Sequence, residues 1–319
     1  MADIERVARL ADAVRAEVAK AVVGQAEALD DLLVGMMCGG HVLLEGVPGT
    51  AKTLLARALA RALDLSFKRI QFSPDLMPAD IVGTNVYDSS QGTFRLSKGP
   101  VFANILLADE INRTPPKTQA ALLEAMQEGQ VTIDGEPHPL PSPFFVVATE
   151  NPVEYQGTYP LPEAQLDRFQ MKVLIEYPGE DEERSILQRH VGGMETTDLA
   201  TLGVRAVAGP EDVLASRAAL DEVTVAEAVV AYITAITRST REHPSVTLGA
   251  SPRASVALMM ASKARALLSG RTFVTPDDVK TSAPAVLRHR VLVMAEVEIE
   301  GTGPDAVIEE VLATVQVPR

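Results

Sequence analysis

The sequence contains the segment Gly46-Val47-Pro48-Gly49-Thr50-Ala51-Lys52-Thr53, which lies between a short apolar run and a run of helix-forming residues. The apolar run, residues 41–45, predicts a buried strand, and residues 54–63, which are rich in Ala, Leu and Arg, predict a helix. A strand, a glycine-containing turn and a helix that opens on Lys-Thr together indicate a phosphate-binding loop. Backbone N–H groups and the positive end of the helix dipole then face the phosphate oxygens.

The residue types in this loop each have a chemical reason. Lys52 can reach the outer phosphates, and the Thr53 hydroxyl can bind the Mg²⁺ that accompanies them. The loop departs from the common pattern, G-x-x-x-x-G-K followed by Ser or Thr, at Ala51, where a methyl group restricts the backbone and can crowd the phosphates. An ordinary turn with a chance lysine is the alternative. The residues that we expect to contact the nucleotide are Gly46, Val47, Pro48, Gly49, Thr50, Ala51, Lys52, Thr53 and Leu54.

Length and composition limit the class of protein. The chain has 319 residues, of which 46% are hydrophobic, so it has room for one large domain or two modest ones. No apolar run is long enough to span a bilayer, and the charged N-terminal residues are typical of an amphipathic helix rather than a signal peptide. The single cysteine, Cys38, cannot form an internal disulfide. We therefore expect a soluble, cytoplasmic protein without a membrane span.

The charge of the chain argues against a nucleic-acid partner. The net charge is −14, whereas surfaces that bind a duplex normally carry a basic excess. Aromatic residues make up 4% of the chain and tryptophan is absent, which disfavours stacking on bases. The five histidines have no spacing typical of metal ligands, so we expect no histidine metal site.

The order of predicted elements changes near residue 180. Before it, strands and helices alternate as a parallel sheet requires, and two hairpins are predicted at residues 84–96 and 130–140. After it, nearly every periodic segment is helical. We therefore predict an α/β fold in which residues 1–180 form a parallel-sheet domain with two hairpin insertions and residues 181–319 form an all-α domain. The predicted strands are residues 41–45, 66–71, 104–108, 144–148 and 172–175; the predicted C-terminal helices are residues 181–191, 210–220, 225–241, 252–268, 276–289 and 305–315.

Acidic and amide side chains end two of the predicted strands. Asp109 and Glu110 follow an apolar run at the carboxyl end of a strand, which is where α/β sheets bind ligands. With Lys52 and Thr53, Asp109 would hold Mg²⁺ through water and Glu110 would polarise the water that attacks the terminal phosphate. Taken alone, Asp-Glu could also be a solvated strand end or a helix start. Asn151 could position the same water, or could simply begin an Asn-Pro turn.

Four segments in this order resemble the MoxR family of AAA+ ATPases. They are residues 46–53, residues 107–113 (Leu-Ala-Asp-Glu-Ile-Asn-Arg), residues 148–152 (Ala-Thr-Glu-Asn-Pro) and residues 161–169 (Leu-Pro-Glu-Ala-Gln-Leu-Asp-Arg-Phe). The resemblance extends over about residues 20–290, and alanine before the lysine is itself found in that family.

The resemblance implies a role for each of these segments. Residues 46–53 would be the Walker A motif, Asp109-Glu110 the Walker B motif, and Asn151 sensor 1. Arg168 would be the arginine finger and Arg253 would be sensor 2. The resemblance further implies that Val23 and Gly24 lie in a turn that borders the adenine, and that the two hairpins face the central pore of a ring.

The arginines can also be interpreted from their chemistry. A planar, always charged guanidinium stabilises the charge on a phosphoryl group in transfer. Arg253 opens a predicted helix, where a cation is unfavourable for the helix dipole, so an anionic neighbour such as a nucleotide is expected. Arg168 lies in a polar turn and could be a solvated surface residue. Arg113 could be an interface residue or a partner in an ion pair.

The resemblance implies Mg²⁺-dependent hydrolysis of ATP to ADP and phosphate by a homo-oligomeric ring, with a hexamer as the expected assembly. Such a ring would remodel or mature protein partners, often together with a von Willebrand factor A-domain protein. Two alternatives stay open. One is an ATP-gated binding module with little turnover, against which Glu110 argues, and the other is a DNA-translocating motor, against which the acidic charge argues. Whether Arg168 and Arg253 act in their own subunit or in a neighbour is also open.

Overall fold

The computed structural model describes residues 2–152, 157–191 and 198–318. The first half of the chain alternates helices and strands. Its elements are α1 (Ala2–Ala19), α2 (Ala26–Met37), β1 (Val42–Gly46), α3 (Lys52–Ala62), β2 (Phe67–Gln71), α4 (Pro78–Val82), β3 (Gly83–Asp88), β4 (Thr93–Lys98), β5 (Ile105–Asp109), α5 (Pro116–Glu128), β6 (Gln130–Ile133), β7 (Glu136–Pro139), β8 (Phe145–Glu150), α6 (Glu163–Leu166) and β9 (Met171–Ile175).

The second half is mainly helical. Its elements are α7 (Glu180–Val191), α8 (Pro210–Ala219), α9 (Glu227–Glu242), β10 (Val246–Leu248), α10 (Pro252–Leu268), α11 (Pro276–Leu287), β11 (Leu292–Val293), α12 (Ala295–Ile299) and α13 (Pro304–Thr314). The structure also contains two short 3-10 turns, at Ile111–Arg113 and Leu220–Glu222.

A five-stranded sheet in the order β2-β5-β8-β1-β9 forms the centre of the α/β part, and all its neighbouring strands are parallel. Both faces are covered, which explains why β5 is buried at every position and reads as one apolar run. The register pairs Gln71 with Asp109 and Leu44 with Thr149. The carboxyl ends of β1, β5 and β8 therefore meet at one edge of the sheet. The predicted parallel sheet is confirmed.

The amphipathic pattern of α1 determines how it packs. Its apolar face is buried in the core and consists of Ile4, Val7, Ala11, Val14 and Val18. This face packs on α3 and also on α8 and α10 of the second half. One continuous apolar cluster therefore includes side chains from both halves of the chain. The division at residue 180 stays a prediction.

Both predicted hairpins are present. Strands β3 and β4 pair antiparallel from Gly83–Lys98 to Asp88–Thr93, and β6 pairs with β7. The Asn85 side-chain amide donates to Asp134 Oδ2 at 2.8 Å, so the first hairpin is joined to the tip of the second.

The helical half contains one feature that the sequence analysis did not predict. Strands β10 and β11 pair antiparallel, and helix α12 follows them. These strands are two or three residues long, which is too short for a periodic pattern to be recognised. Among the described residues, no helix is long and apolar enough to cross a membrane.

Candidate nucleotide-binding site

The segment between β1 and α3 forms a tight loop. Gly49 (φ 87°) and Ala51 (φ 63°) both have left-handed backbone conformations. The Thr50 hydroxyl donates to the Val47 carbonyl at 2.9 Å and closes the loop on itself. The Ala51 carbonyl accepts the Leu55 N–H at 2.9 Å and begins the helix. The alanine therefore adopts the conformation that glycine would take, at a cost of about 1–2 kcal/mol.

Lys52 is the first residue of α3, and its ammonium group donates to the Gly46 carbonyl. Burial lowers the pKa of Lys52 below its ordinary value, and the negative charges of Asp109, Glu110 and Glu45 oppose this shift. The lysine thus lies in a partly buried, acidic environment at the sheet edge. An ammonium held there is placed to neutralise a phosphate.

The Asp109 carboxylate ends β5 and is almost fully buried. Its Oδ1 accepts a hydrogen bond from the Thr149 hydroxyl at 2.7 Å. Its Oδ2 accepts from Arg69, at 3.0 Å from Nε and 2.6 Å from Nη2. Both carboxylate oxygens of Asp109 therefore have a protein donor.

Glu110 has a left-handed backbone (φ 57°) and starts the short 3-10 turn. Its N–H donates to the Thr149 hydroxyl at 2.8 Å. Its Oε2 accepts from the Gln71 amide at 2.6 Å and forms an ion pair with Arg113 Nε at 3.1 Å. Of the two interpretations of Arg113, the structure shows the ion pair.

Three polar residues of this site were missed by sequence reasoning: Arg69, Gln71 and Thr149. Arg69 and Gln71 are two residues apart on β2, so their side chains lie on the same face of the sheet. Both lie about 40 positions before their partners in the chain, and no local pattern connects them. For Thr149 the sequence did offer a signal: it lies two positions before Asn151, at the end of a predicted buried strand, where site residues are expected.

The donor set fits Mg²⁺ and a nucleoside triphosphate. Hard carboxylate and hydroxyl oxygens are the ligands that Mg²⁺ prefers, and Asp109 and Thr53 supply them. In the part of the chain that the structure describes, the Thr53 hydroxyl forms no hydrogen bond. A Cβ added to Gly49 would meet no atom within 4 Å, so the loop is open on that side.

Asn151 and the turn after α1 lie at the same end of the sheet. Asn151 is buried directly after β8. Gln25, next to Val23 and Gly24, donates to the Glu176 carbonyl at 3.2 Å, and Glu176 lines a cleft of about 470 Å³ with Gly46 and Val47. Gly24 has φ 76°, and a Cβ there would approach Glu182 Oε2 to 2.6 Å. The left-handed backbone of this turn therefore favours glycine, and the turn adjoins the cleft beside the loop.

One of the two predicted catalytic arginines, Arg253, contacts the residue that precedes the other. Arg253 Nε is 3.8 Å from Asp167 Oδ2, and Asp167 directly precedes Arg168. The anionic neighbour expected for Arg253 is thus a carboxylate of its own chain. Among the described residues, the Arg168 guanidinium has no hydrogen bond or ion pair, and neither arginine is bonded to residues 46–53.

Comparison with known proteins identifies the family. Residues 41–171 match the "ATPase family associated with various cellular activities (AAA)", and residues 238–311 match the AAA lid domain. The chain is 44% identical to chaperone MoxR1 of Mycobacterium tuberculosis over 95% of its own length and 81% of that protein. The chain belongs to the MoxR family of AAA+ ATPases. It is therefore an ATP-hydrolysing enzyme with an AAA+ sheet domain and a helical lid.

Two further comparisons cover nearly the whole of this MoxR-family chain. It is 46% identical to the uncharacterised protein YeaC of Bacillus subtilis, over 94% of the chain and 92% of that protein. A crystal structure from Cytophaga hutchinsonii, provisionally described as an ATPase, superposes with a TM-score of 0.90 at 42% identity. The superposition covers 99% of this chain and 97% of that one.

Proposed function

We propose that this MoxR-family ATPase uses Mg²⁺-dependent hydrolysis of ATP to remodel or mature protein partners, as a cytoplasmic ring of identical subunits. The observation that carries the catalytic part is the convergence of Lys52, Asp109 and Glu110 at the carboxyl edge of the sheet, where the charges of both carboxylates act on the lysine. The chaperone name of a relative that is 44% identical supports the remodelling part.

Each residue at the sheet edge has a proposed task. Lys52 and the N–H groups of the loop hold the outer phosphates, and Thr53 with Asp109 holds Mg²⁺, Asp109 through water. Mg²⁺ held by these residues would supply positive charge that offsets the negative charge of the phosphates. Glu110 accepts the proton of the attacking water, and Asn151 orients that water.

We further propose that Arg168 and Arg253 serve the nucleotide of the neighbouring subunit. Support comes from their shared position around Asp167 and from their lack of a bond to residues 46–53. An arginine finger supplied by a neighbour is worth about 10³–10⁵ in hydrolysis rate in other phosphoryl-transfer systems. Hydrolysis would then require a ring, for which a hexamer is the expected size.

The first hairpin is the proposed contact for a protein partner, and a von Willebrand factor A-domain protein is the candidate to test. Tyr87 is 56% exposed and Phe94 is 73% exposed, and their rings meet edge to face at 5.3 Å. Exposed apolar side chains grouped in this way mark interaction surfaces. Deletion of residues 89–91 at the hairpin tip should leave ATP turnover and thermal stability unchanged while it weakens action on a partner.

The catalytic assignment is tested by steady-state phosphate release and nucleotide binding. Glu110→Gln should retain ATP affinity and lose at least about a hundredfold in rate, because a positioned base is lost. Lys52→Ala should weaken ATP binding about tenfold or more. Glu124→Gln, an exposed carboxylate on α5, is the matched control and should behave as wild type. Normal hydrolysis by Glu110→Gln would refute the assignment.

Mixing two inactive variants tests the shared site. Arg168→Ala subunits should bind ATP and barely hydrolyse it, and Lys52→Ala subunits should bind it weakly. A mixture should recover part of the activity, because a site with an intact loop and a neighbour's intact arginine can form. The absence of recovery, with a specific activity that does not depend on protein concentration, would place Arg168 outside a shared site.

A further inference from the structure

The Thr149 side chain connects the two acidic residues of the site. Thr149 lies near the end of β8 and is completely buried. Its hydroxyl donates its proton to Asp109 Oδ1 at 2.7 Å and accepts the Glu110 N–H at 2.8 Å. A single hydroxyl group thus donates to Asp109, which we assign to metal binding, and accepts from Glu110, which we assign to proton transfer.

The bond to the Glu110 N–H restrains a strained backbone. Glu110 has φ 57° and ψ 53°, a left-handed conformation that is unfavourable for a residue with a side chain. Gln71 and Arg113 contact the Glu110 carboxylate but do not contact its N–H. The Thr149 hydroxyl is therefore the side-chain group that fixes where the main chain turns out of β5 and in which direction the carboxylate leaves it.

The sheet itself positions the hydroxyl. Ala108 and Ala148 are register partners in β5 and β8, so Thr149 lies beside Asp109 across the strand pair. The branched Cβ of threonine restricts its χ1 angle, and full burial limits alternative rotamers. The other donor to Asp109, Arg69, has a side chain that is 48% exposed. Thr149 is thus the fully buried donor to this carboxylate, whereas Arg69 is the half-exposed one.

We propose that Thr149 is a positioning residue for hydrolysis: its hydroxyl holds the Asp109 carboxylate and the Glu110 main chain in the relative geometry that metal binding and water activation require. This inference rests on the roles proposed above for Asp109 and Glu110. It predicts that the hydroxyl affects turnover and the Mg²⁺ requirement much more than the binding of ATP.

Two substitutions separate the hydroxyl from the shape of the side chain. Thr149→Val removes both hydrogen bonds and keeps the volume, whereas Thr149→Ser keeps the hydroxyl. Thr149→Val should lower kcat about ten- to a hundredfold, because a hydrogen bond to a charged group and a backbone restraint are lost together. The KM for ATP should change less than about threefold. The Mg²⁺ concentration for half-maximal rate should rise, and Thr149→Ser should recover most of the kcat.

Thr118→Val is the matched control. Thr118 is also buried, and its hydroxyl donates to the Leu76 carbonyl at 2.9 Å, away from the acidic pair. Thr118→Val should leave kcat and the Mg²⁺ requirement unchanged, even if it lowers the melting temperature. Binding of a fluorescent ATP analogue and thermal melting, measured for all variants, separate loss of folding from loss of positioning.

Three results would overturn the inference: wild-type kcat in Thr149→Val, failure of Thr149→Ser to recover activity, or an equal loss in Thr118→Val. Glu110→Gln, measured in the same assays, distinguishes this failure from that of the proposed function. If Glu110→Gln is inactive while Thr149→Val is normal, only the role of Thr149 is refuted. If Glu110→Gln is active, the assignment of the acidic pair itself is refuted.

Discussion

Replacement of Arg290 by methionine should destabilise the protein strongly. Arg290 follows α11, its side chain is 4% exposed, and its guanidinium is bonded to the turn that carries Arg168. Methionine retains most of the aliphatic volume and removes every hydrogen bond. The lost bonds are those from Nε to Asp167 Oδ1 (2.6 Å), from Nη1 to the carbonyls of Gln170 (3.1 Å) and Val286 (2.5 Å), and from Nη2 to the carbonyls of Phe169 (2.7 Å) and Asp167 (3.3 Å).

The size of the expected destabilisation follows from the groups that lose their hydrogen-bond donor when Arg290 is replaced. Removal of one partner of a buried ion pair costs about 3–5 kcal/mol. The Asp167 side chain is 27% exposed, so we attribute the cost here mainly to the buried carbonyl oxygens that are left without a donor. Here the Asp167 carboxylate and several carbonyl oxygens lose their donor together. Since a folded domain is stable by only about 5–15 kcal/mol, this loss is a large fraction of the total. At about 2 °C per kcal/mol for a long chain, the melting temperature should fall by about 6–10 °C.

Arg253 provides the matched control, because it pairs with the same carboxylate. Its side chain is 64% exposed and its Nε is 3.8 Å from Asp167 Oδ2. An exposed pair contributes about 1 kcal/mol at most, so Arg253→Met should change stability little. Chemical denaturation and thermal melting of both variants at one salt concentration measure the difference. Equal shifts in the two variants, or a change below about 1 kcal/mol in Arg290→Met, would refute the reasoning.

Three further perturbations have signs that the structure determines. Ala51→Gly should raise the free energy of unfolding, measured with denaturant, by up to about 1.5 kcal/mol. Glycine relieves the strain of the left-handed conformation, and this gain exceeds the cost of the greater freedom of the unfolded chain. A lower free energy of unfolding would mean that the Ala51 methyl group packs favourably. Arg69→Met should lower the Mg²⁺ concentration for half-maximal rate about two- to fivefold, since a half-exposed cation that competes for Asp109 is removed, and a rise would contradict this. Burial lowers the pKa of His41 to about 4 from 6.5, so the stability that it contributes is complete above pH 6.5 and is lost as the pH falls towards 4. His41→Gln should therefore flatten the pH dependence of the unfolding free energy in this interval, and an unchanged slope would assign that dependence to other groups.

The sequence alone determined the α/β fold and the position of the candidate nucleotide loop. Both follow from local physics: an apolar run before a glycine turn, a helix that starts on Lys-Thr, and the apolar face of α1 are properties of neighbouring residues. The Asp-Glu pair could likewise be assigned to a strand end, because β5 is buried on both faces and has no polar residue before Asp109. The small strands β10 and β11 could not be found, because segments of two or three residues carry no period.

Only the tertiary structure decided which groups act on the acidic pair. Thr149, Arg69 and Gln71 reach Asp109 and Glu110 through the strand order β2-β5-β8, which places residues about 40 positions apart in the chain side by side. In the same way, Arg253 meets Asp167 because α10 packs against the turn after α6. Such contacts are set by sheet order, register and helix packing. These depend on the burial of the whole chain, and no window of sequence contains them.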